Sequence, residues 1–417
     1  MSNLIIYGNN KIFGEISAES AKNAMLPLIS ACIMYEGKVT FNKCPKLNDI
    51  LVMLEIIEYL GGKYSFNGDE LTVDCSSLYN YELPFELTKK IRASIFMVGA
   101  ILGRFHKACF CLPGGCNIGE RPIDIHLEGL KQLGVEISSC ECIYCRTNKL
   151  IGKEITLRYK SVGATENLIM AGVLAEGKTI INNAAKEPEI MCLVKFLKLI
   201  GAKIYGAGTS KIVVEGVKKL NKENITFSPI SDRIEVGTYM LLTMSVGGEI
   251  LIKNTNINHN LSLLKKIYNN ACKIVVDNDK IYIKSSGAGK SLGYIKTSPY
   301  PMFPTDLQAQ LVAYSSTLRG TTVVEETVFN GRFAHCFELN KMGANISVKN
   351  NRAIIKGVDG LIGAEVVATD LRGGASLVIA GLKAEGKTII RNAENIDRGY
   401  YQIEKKLQQL GANVKRE

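Results

Sequence analysis

Histidine is scarce in this chain. The four copies, His106, His126, His259 and His335, fall at no HxH or HxxxH spacing, which argues against a histidine-built metal centre. Long apolar runs are missing too. The most apolar stretch, Ser94 to Gly103, is far too short to cross a bilayer, so no membrane insertion is expected. The opening residues Met1-Ser2-Asn3-Leu4-Ile5-Ile6-Tyr7-Gly8 hold no basic region followed by a long apolar core. No secretory leader is expected there, and the reading is a cytoplasmic protein. No run of five like charges occurs. The net charge of +11 therefore reads as a solvated lysine-rich surface, although phosphate-bearing substrates would also suit it. A nucleic-acid partner is not expected, because basic stripes interleaved with aromatics are absent.

Tryptophan is absent, whereas glycine reaches 39 copies in 417 residues, a balance that suits a turn-rich α/β protein of two or more domains. The twelve cysteines are scattered, and several (Cys32, Cys192, Cys272, Cys336) lie in apolar runs. They are expected to be buried reduced thiols rather than a disulfide framework. Cys140, Cys142 and Cys145 include a Cys-x-x-Cys, but no second pair follows to complete a zinc site, and strand cysteines are the expectation.

Self-similarity organises the rest. A helix closing on a small-residue turn, followed by a strand, recurs six times. The turns are Leu60-Gly61-Gly62, Leu133-Gly134-Val135, Ile200-Gly201-Ala202, Asn269-Asn270-Ala271, Met342-Gly343-Ala344 and Leu410-Gly411-Ala412, at intervals of about 70 residues. Five copies place Gly where a helix end turns left-handed, and Asn270 is expected to serve in the fourth. The second helix of each copy is amphipathic; Ile190, Leu193, Val194 and Leu197 form one such stripe. The expected fold is α/β, with two domains of three repeats each. A polar crossing over Asn221 to Ile230 separates them, and residues 1–20 could complete the sheet of the last repeat.

Against that frame, several short stretches carry chemistry. Pro113-Gly114-Gly115-Cys116-Asn117-Ile118-Gly119-Glu120-Arg121-Pro122 can be neither helix nor regular strand. It reads as a mobile loop presenting one thiol, biased toward thiolate by Arg121, or as a Gly-rich surface turn. Lys22-Asn23 stands among small residues at a helix start, where backbone N–H groups and a cation attract an anion. Arg92 opens a helix that is apolar thereafter. Lys160-Ser161-Val162-Gly163 could cradle a phosphate or simply cap a helix. Asp306, behind Pro299, Pro301 and Pro304, reads as an N-cap or as a general base. Asp370-Leu371-Arg372 and Asp397-Arg398 each place an acid and an arginine at a helix start. Gly287-Ala288-Gly289-Lys290-Ser291 looks like the end of a P-loop, yet the position of its first glycine is Lys284, so a strand connection is expected.

Together these stretches resemble the enolpyruvyl transferases, over nearly the whole chain. The carriers are the cysteine loop at 113–122, Ala21-Lys22-Asn23-Ala24, Ser161-Val162-Gly163-Ala164-Thr165, Asp232-Arg233-Ile234-Glu235, Phe303-Pro304-Thr305-Asp306, Asp370-Leu371-Arg372 and Ile396-Asp397-Arg398-Gly399-Tyr400. The shikimate-directed branch of the family lacks the cysteine loop, so the resemblance points to the branch acting on UDP-N-acetylglucosamine. It implies two inverted α/β-barrel-like domains of three βαβαββ-type units with approximate threefold symmetry. Their expected extents are 21–228 and 1–20 plus 229–417, with the active site in the cleft between them. It implies transfer of the enolpyruvyl group of phosphoenolpyruvate to the sugar 3-hydroxyl, the first committed step of peptidoglycan synthesis, without cofactor or metal. By the same resemblance Cys116 is the general acid, open to alkylation by the epoxide fosfomycin, and Asp306 takes the hydroxyl proton. Lys22, Asn23, Arg121, Arg372 and Arg398 hold phosphoenolpyruvate. Arg92, Arg121, Pro122, Ile123, Asp124, Ile125, Lys160, Ser161, Val162, Gly163, Asp306 and Val328 line the sugar-nucleotide site. The chain departs from the family pattern at Asn395, where many members have His, and at Tyr401, where many have Glu. Asn117 and Glu120 fall at variable places in the loop. No charged group named above is lost.

Overall fold

The computed structural model describes residues 2–114, 122–139, 141–220, 225–268 and 270–417. The chain divides into two compact units: an N-terminal unit of Ser20–Gly115 and Pro122–Ile230, and a C-terminal unit of Met1–Glu19 and Ser231–Glu417.

Each unit is built from a βαβαββ repeat, and the third repeat of the N-terminal unit shows it most plainly. Strand Glu154–Thr156 leads into helix Val162–Val173 and returns as Lys178–Asn182, parallel to the first strand with Ile181 opposite Ile155. Helix Pro188–Leu199 and the hairpin Lys203–Tyr205/Lys211–Glu215 complete it, with Ile180 opposite Val213. The sequence contains two kinds of helix, and they take two places. The first helix of a repeat is apolar all round: ten of the eleven residues of Lys22–Cys32 are buried, as is every residue of Arg233–Val246. Such a helix can only sit inside. The second kind carries one apolar stripe, and Ile190, Leu193, Val194 and Leu197 are all buried.

Four repeats borrow or abbreviate a strand. Ile225–Phe227, far along the chain, pairs in parallel with Lys38–Phe41 and starts the first repeat of the N-terminal unit. Expected as part of a polar crossing, Ile225 is instead buried, with Val39 as its ladder partner. Ile12–Ser17 does the same for Gly248–Lys253 in the C-terminal unit. Leu4–Tyr7 lies between Lys387–Arg391 and Asn413–Arg416, occupying the place of the final strand that the last repeat lacks. In the second repeat of the N-terminal unit the first strand shrinks to a bridge between Glu82 and Cys109, leaving a three-stranded sheet.

Two expectations need correction. The left-handed residue after the fourth amphipathic helix is Ala271, with φ of 56°, not Asn270. The Asn270 side chain instead accepts from Lys290 N at 2.8 Å and donates to Lys290 O at 2.9 Å, which moves the turn one residue on. The cysteines are not all reduced either: Cys111 and Cys142 are disulfide-linked, with Cα atoms 4.4 Å apart. The ladder between Lys107–Phe110 and Ile143–Arg146 ends at Phe110 opposite Ile143, so Cys111 and Cys142 are the next facing pair. Close approach of the Cα atoms is normal at a non-hydrogen-bonded antiparallel pair. Cys145 lies in its strand as expected, and Cys140 is outside the described residues. Gly287 to Ser291 connects strands Lys280–Ser285 and Tyr294–Lys296, as its flanks suggested.

Candidate active site

In the N-terminal unit, Lys22 is the first residue of its helix and is 8% exposed. No side chain caps that helix end; the ammonium instead meets Asp49 Oδ2 at 2.9 Å. Asp49 is a partner that sequence patterning did not single out. Asn23 follows, partly exposed. Arg92 starts a one-turn 3-10 helix and donates from Nη2 to Pro122 O at 3.1 Å. That bond ties Arg92 to the far end of the cysteine-loop stretch. Ile123 caps helix Asp124–Gln132, Asp124 Oδ1 accepts from Ile125 N at 2.9 Å, and Asp124 also pairs with Arg158.

The stretch Lys160-Ser161-Val162-Gly163 is partly exposed at the start of helix Val162–Val173. Ser161 is a true N-cap: its Oγ accepts from Ala164 N at 3.3 Å and its carbonyl from Thr165 N at 3.0 Å. Among the described residues this leaves the amides of Val162 and Gly163 as open donors on the first turn, at the positive end of the helix dipole. Capping and anion binding are thus compatible here rather than alternatives.

Cys116 and Arg121 lie outside the described residues. The stretch that leads to them is anchored, however. Gly114 N donates to Thr88 O at 3.1 Å, and a Cβ on Gly114 would stand 1.7 Å from Lys89 O. Only glycine fits that approach.

In the C-terminal unit the expected N-cap role of Asp306 is not realised. Its side chain caps no helix; its carboxylate faces two guanidiniums, Arg332 Nη2 at 2.8 Å and Arg372 Nη2 at 3.4 Å. Burial alone would raise its pKa. Arg372 and Arg332, with Arg233 behind them, outweigh burial and hold the carboxyl well below the usual carboxylate range. Arg372 is itself 3% exposed and sits over the Tyr400 ring, its Cζ 5.5 Å from the centroid. Burial works against its charge, but Tyr400 and Asp306 more than compensate and raise its pKa. Asp370 caps the helix that carries Arg372, accepting from the Arg372 and Gly373 amides at 2.9 and 3.0 Å. The Tyr400 hydroxyl is fixed by Thr238 Oγ1 at 2.8 Å and Gln310 Nε2 at 3.0 Å.

Arg372, Arg332 and Arg233 outnumber the carboxylates Asp306 and Asp232 that act on them, which leaves an excess of positive charge. The Arg372 Nη1 and Arg332 Nε atoms are buried without a hydrogen-bond acceptor among the described residues. Buried donors in that state favour an incoming anion. Arg332 and Arg233 did not emerge as candidates for this cluster from motif reading. Arg332 lies in Asn330-Gly331-Arg332-Phe333, where nothing in the local pattern marks it.

The second Asp-Arg pair differs from expectation. Asp397 and Arg398 stand at the C-terminal end of the short helix Glu394–Asp397, and Asp397 is clamped by Arg416 at 2.7 Å. They do not open a helix as expected, and the chain becomes helical again only at Ile403–Gln409. Val328 follows strand Thr321–Glu325, its amide bonded to Glu326 Oε1 at 2.8 Å. No cluster of three or more metal-ligating side chains occurs among the described residues, and no helix there is long and apolar enough to cross a membrane.

This repeat architecture is that of the enolpyruvyl transferases. The enolpyruvyl transferase NikO from Streptomyces tendae has a similar structure, with a TM-score of 0.89 at 23% identity over 100% of this chain and 98% of that one. EPSP synthase from Acinetobacter baumannii has a TM-score of 0.78 at 16% identity, with both chains fully covered. At such identities the likeness speaks to the fold alone. The chain belongs to the EPSP synthase (3-phosphoshikimate 1-carboxyvinyltransferase) family, whose model matches residues 6–407. Among curated proteins it is 46% identical, over the full length of both chains, to UDP-N-acetylglucosamine 1-carboxyvinyltransferase 2 of Caldanaerobacter subterraneus subsp. tengcongensis. It is 44% identical to the Bacillus subtilis protein of the same name, over 100% of this chain and 97% of that one.

Proposed function

We propose that this protein transfers the enolpyruvyl group of phosphoenolpyruvate to the 3-hydroxyl of UDP-N-acetylglucosamine and releases phosphate, the first committed step of peptidoglycan synthesis. The observation that carries the reading is full-length identity of 46% to a relative that bears the name of this reaction. The cysteine loop at 113–122 supports it over the shikimate-directed branch. Both substrates are made in the cytoplasm, and the enzyme works there.

The chemistry balances without cofactor or metal. Cys116 gives a proton to the methylene carbon of phosphoenolpyruvate, which leaves the adjacent carbon cationic. The sugar 3-hydroxyl adds to that carbon and its proton passes to Asp306. A methyl proton then returns to the Cys116 thiolate as the carbon–oxygen bond to phosphate breaks, and the departing phosphate takes the proton from Asp306, which gives the enol ether and restores both groups. Lys22, Asn23, Arg121, Arg372 and Arg398 bind the phosphate and carboxylate of phosphoenolpyruvate. Arg92, Arg121 to Ile125, Lys160 to Gly163, Asp306 and Val328 receive the sugar nucleotide.

Asp306 is held ionised by the arginines around it, so it is ready to accept a proton but weakly basic. Binding of an anion to Arg372 draws part of that positive field away and raises the proton affinity of the carboxylate when substrate is present. The same buried guanidiniums stabilise charge that develops on the reacting phosphate.

The test is phosphate release from phosphoenolpyruvate. Release that depends on UDP-N-acetylglucosamine is expected. Release with shikimate 3-phosphate instead, or with neither acceptor, overturns the reading.

A further inference from the structure

Three buried helices of the C-terminal unit, Arg233–Val246, Gln308–Ser315 and Leu371–Lys383, each bring one polar side chain from their first two turns to the same phenol. The side chains are Thr238, Gln310 and Arg372, and the phenol is Tyr400, 1% exposed. Thr238, Gln310 and Tyr400 take no part in the steps above. The hydrogen bonds among them have one direction. Thr238 Oγ1 donates to Ile234 O at 2.7 Å, because a carbonyl can only accept. Toward Tyr400 the threonine oxygen is therefore the acceptor, and the phenol donates its hydrogen to it at 2.8 Å. Gln310 Nε2 lies 3.0 Å from Asp306 O, 3.0 Å from the Tyr400 oxygen and 3.2 Å from Thr238 Oγ1. Asp306 O can only accept, so the orientation of the amide is settled, with its nitrogen toward the phenol. Gln310 Oε1 is buried without a donor among the described residues. A buried acceptor left unmade is costly, so it is the contacts of the nitrogen that hold this side chain in place.

With its hydrogen committed to Thr238, the phenol offers Arg372 only oxygen lone pairs and the π face of its ring. Arg372 Cζ stands 5.5 Å from the ring centroid, within cation–π range. Burial disfavours the arginine charge, and the phenol acts against that loss. Burial also pushes the Tyr400 pKa up, although Arg372 pulls the other way, and the phenol stays neutral at physiological pH. That neutrality matters for the site. A carboxylate in the same place would orient the guanidinium and also cancel its charge. A phenol orients it and leaves the charge for an incoming anion, toward which the buried Arg372 Nη1 has no acceptor among the described residues.

We propose that Tyr400, locked by Thr238 and Gln310, is a positioning residue that fixes the Arg372 guanidinium for phosphoenolpyruvate without cancelling its charge. The inference rests on the proposed function for the identity of that anion. Tyr400 acts through Arg372 and is not itself a catalytic residue. Gln310 extends the effect, since one amide nitrogen reaches both the phenol and the backbone of Asp306. The cation that receives the substrate anion and the carboxylate that takes the proton are thereby set in one frame.

Three variants separate this role from packing. Tyr400→Leu removes ring and hydroxyl, Tyr400→Phe keeps the ring, and Gln310→Met keeps the shape of the side chain but deletes the amide. Loss of a desolvated cation–π contact corresponds to roughly a tenfold or larger loss of affinity. Expected for Tyr400→Leu is a fall of at least about tenfold in kcat/KM for phosphoenolpyruvate, with KM for UDP-N-acetylglucosamine within about twofold of wild type. Tyr400→Phe is expected to recover most of that loss. It and Gln310→Met should each cost about threefold with phosphoenolpyruvate alone, the scale of one neutral hydrogen bond. These two milder variants carry the test if Tyr400→Leu does not fold. Equal losses with both substrates mark a packing residue and overturn the proposal, as does a Tyr400→Phe enzyme no better than Tyr400→Leu. Calorimetric titration with inorganic phosphate requires no turnover. Weaker phosphate binding in Tyr400→Leu supports the platform even if the wild type fails the acceptor assay, whereas unchanged phosphate affinity in an active enzyme refutes this inference and leaves the proposed function standing.

Discussion

Arg332 offers the sharpest perturbation of the cationic cluster in the C-terminal unit. Its Nη2 lies 2.8 Å from Asp306 Oδ1 and its Nη1 2.7 Å from Thr305 Oγ1, with only 6% of the side chain exposed. Arg332→Met keeps most of the apolar stem and deletes the charge. Arg372 still faces Asp306, so the carboxylate is weakened in its setting but not stranded. The expected cost at neutral pH is therefore about 2–3 kcal/mol, the scale of a charged hydrogen bond, below the 3–5 kcal/mol of an orphaned buried ion. The dependence on pH has a definite sign. Asp306 has a folded pKa below its unfolded value of about 3.9, so its contribution is full above about pH 4 and is lost as pH falls toward the folded pKa. Removing one guanidinium raises the folded pKa, on the order of one to three for a carboxylate beside an arginine, and shrinks that contribution. Urea unfolding of wild type and variant from pH 7 down to about pH 1.5 measures this. The unfolded state is common to both, so the deficit should hold from pH 7 downward and narrow only as pH falls through the variant's raised folded pKa. In the same variant the acid limb of the kcat/KM profile should move to higher pH. A deficit that stays constant over the whole series would mean Arg332 acts by packing alone, and the electrostatic account would fail.

Asp306→Asn should lower kcat by on the order of 10²-fold or more while phosphoenolpyruvate and the sugar nucleotide still bind, since a neutral amide cannot take the hydroxyl proton; activity near wild type would remove Asp306 from the mechanism. Gly114→Ala should unseat the stretch before the cysteine, because its Cβ would lie 1.7 Å from Lys89 O. Faster proteolytic cleavage around residue 114 is the readout, and an unchanged cleavage rate would count against that anchor. Cys111→Ser should lower the stability of oxidised protein by up to about 3–4 kcal/mol, the chain-entropy value for a closed loop of 31 residues. The deficit should vanish when the wild type is reduced, and peptide mapping without reductant should recover Cys111 linked to Cys142.

Much of the fold could be read from local pattern, because helix ends and amphipathic stripes are written in adjacent residues. Of the six expected left-handed helix ends, the five held by glycine have positive φ, from 83° at Gly411 to 112° at Gly201. The sixth failed where a side chain answered to a distant strand connection: Asn270 bonds Lys290, and the left-handed residue became Ala271. The disulfide escaped notice for the same reason. Cys111 and Cys142 are 31 residues apart in sequence and meet only through the register of a strand ladder.

The candidate site divides along the same line. Sequence by itself determined which short stretches carry charge and small residues at helix starts, since a cap and its helix are neighbours in the chain. Thus Lys22, Ser161 and Arg372 stand at helix starts where the pattern placed them. Partnership was decided only by tertiary structure. Asp306 was read as a possible cap; 26 residues on, Arg332 claims its carboxylate, and 66 residues on, Arg372 joins it. His126 bonds Asn167, 41 residues away, whose own orientation is set by Ile95 and Gly99. Hydrogen bonds and Coulomb forces act through space over a few ångströms, and a linear pattern records neighbours in the chain, not neighbours in space.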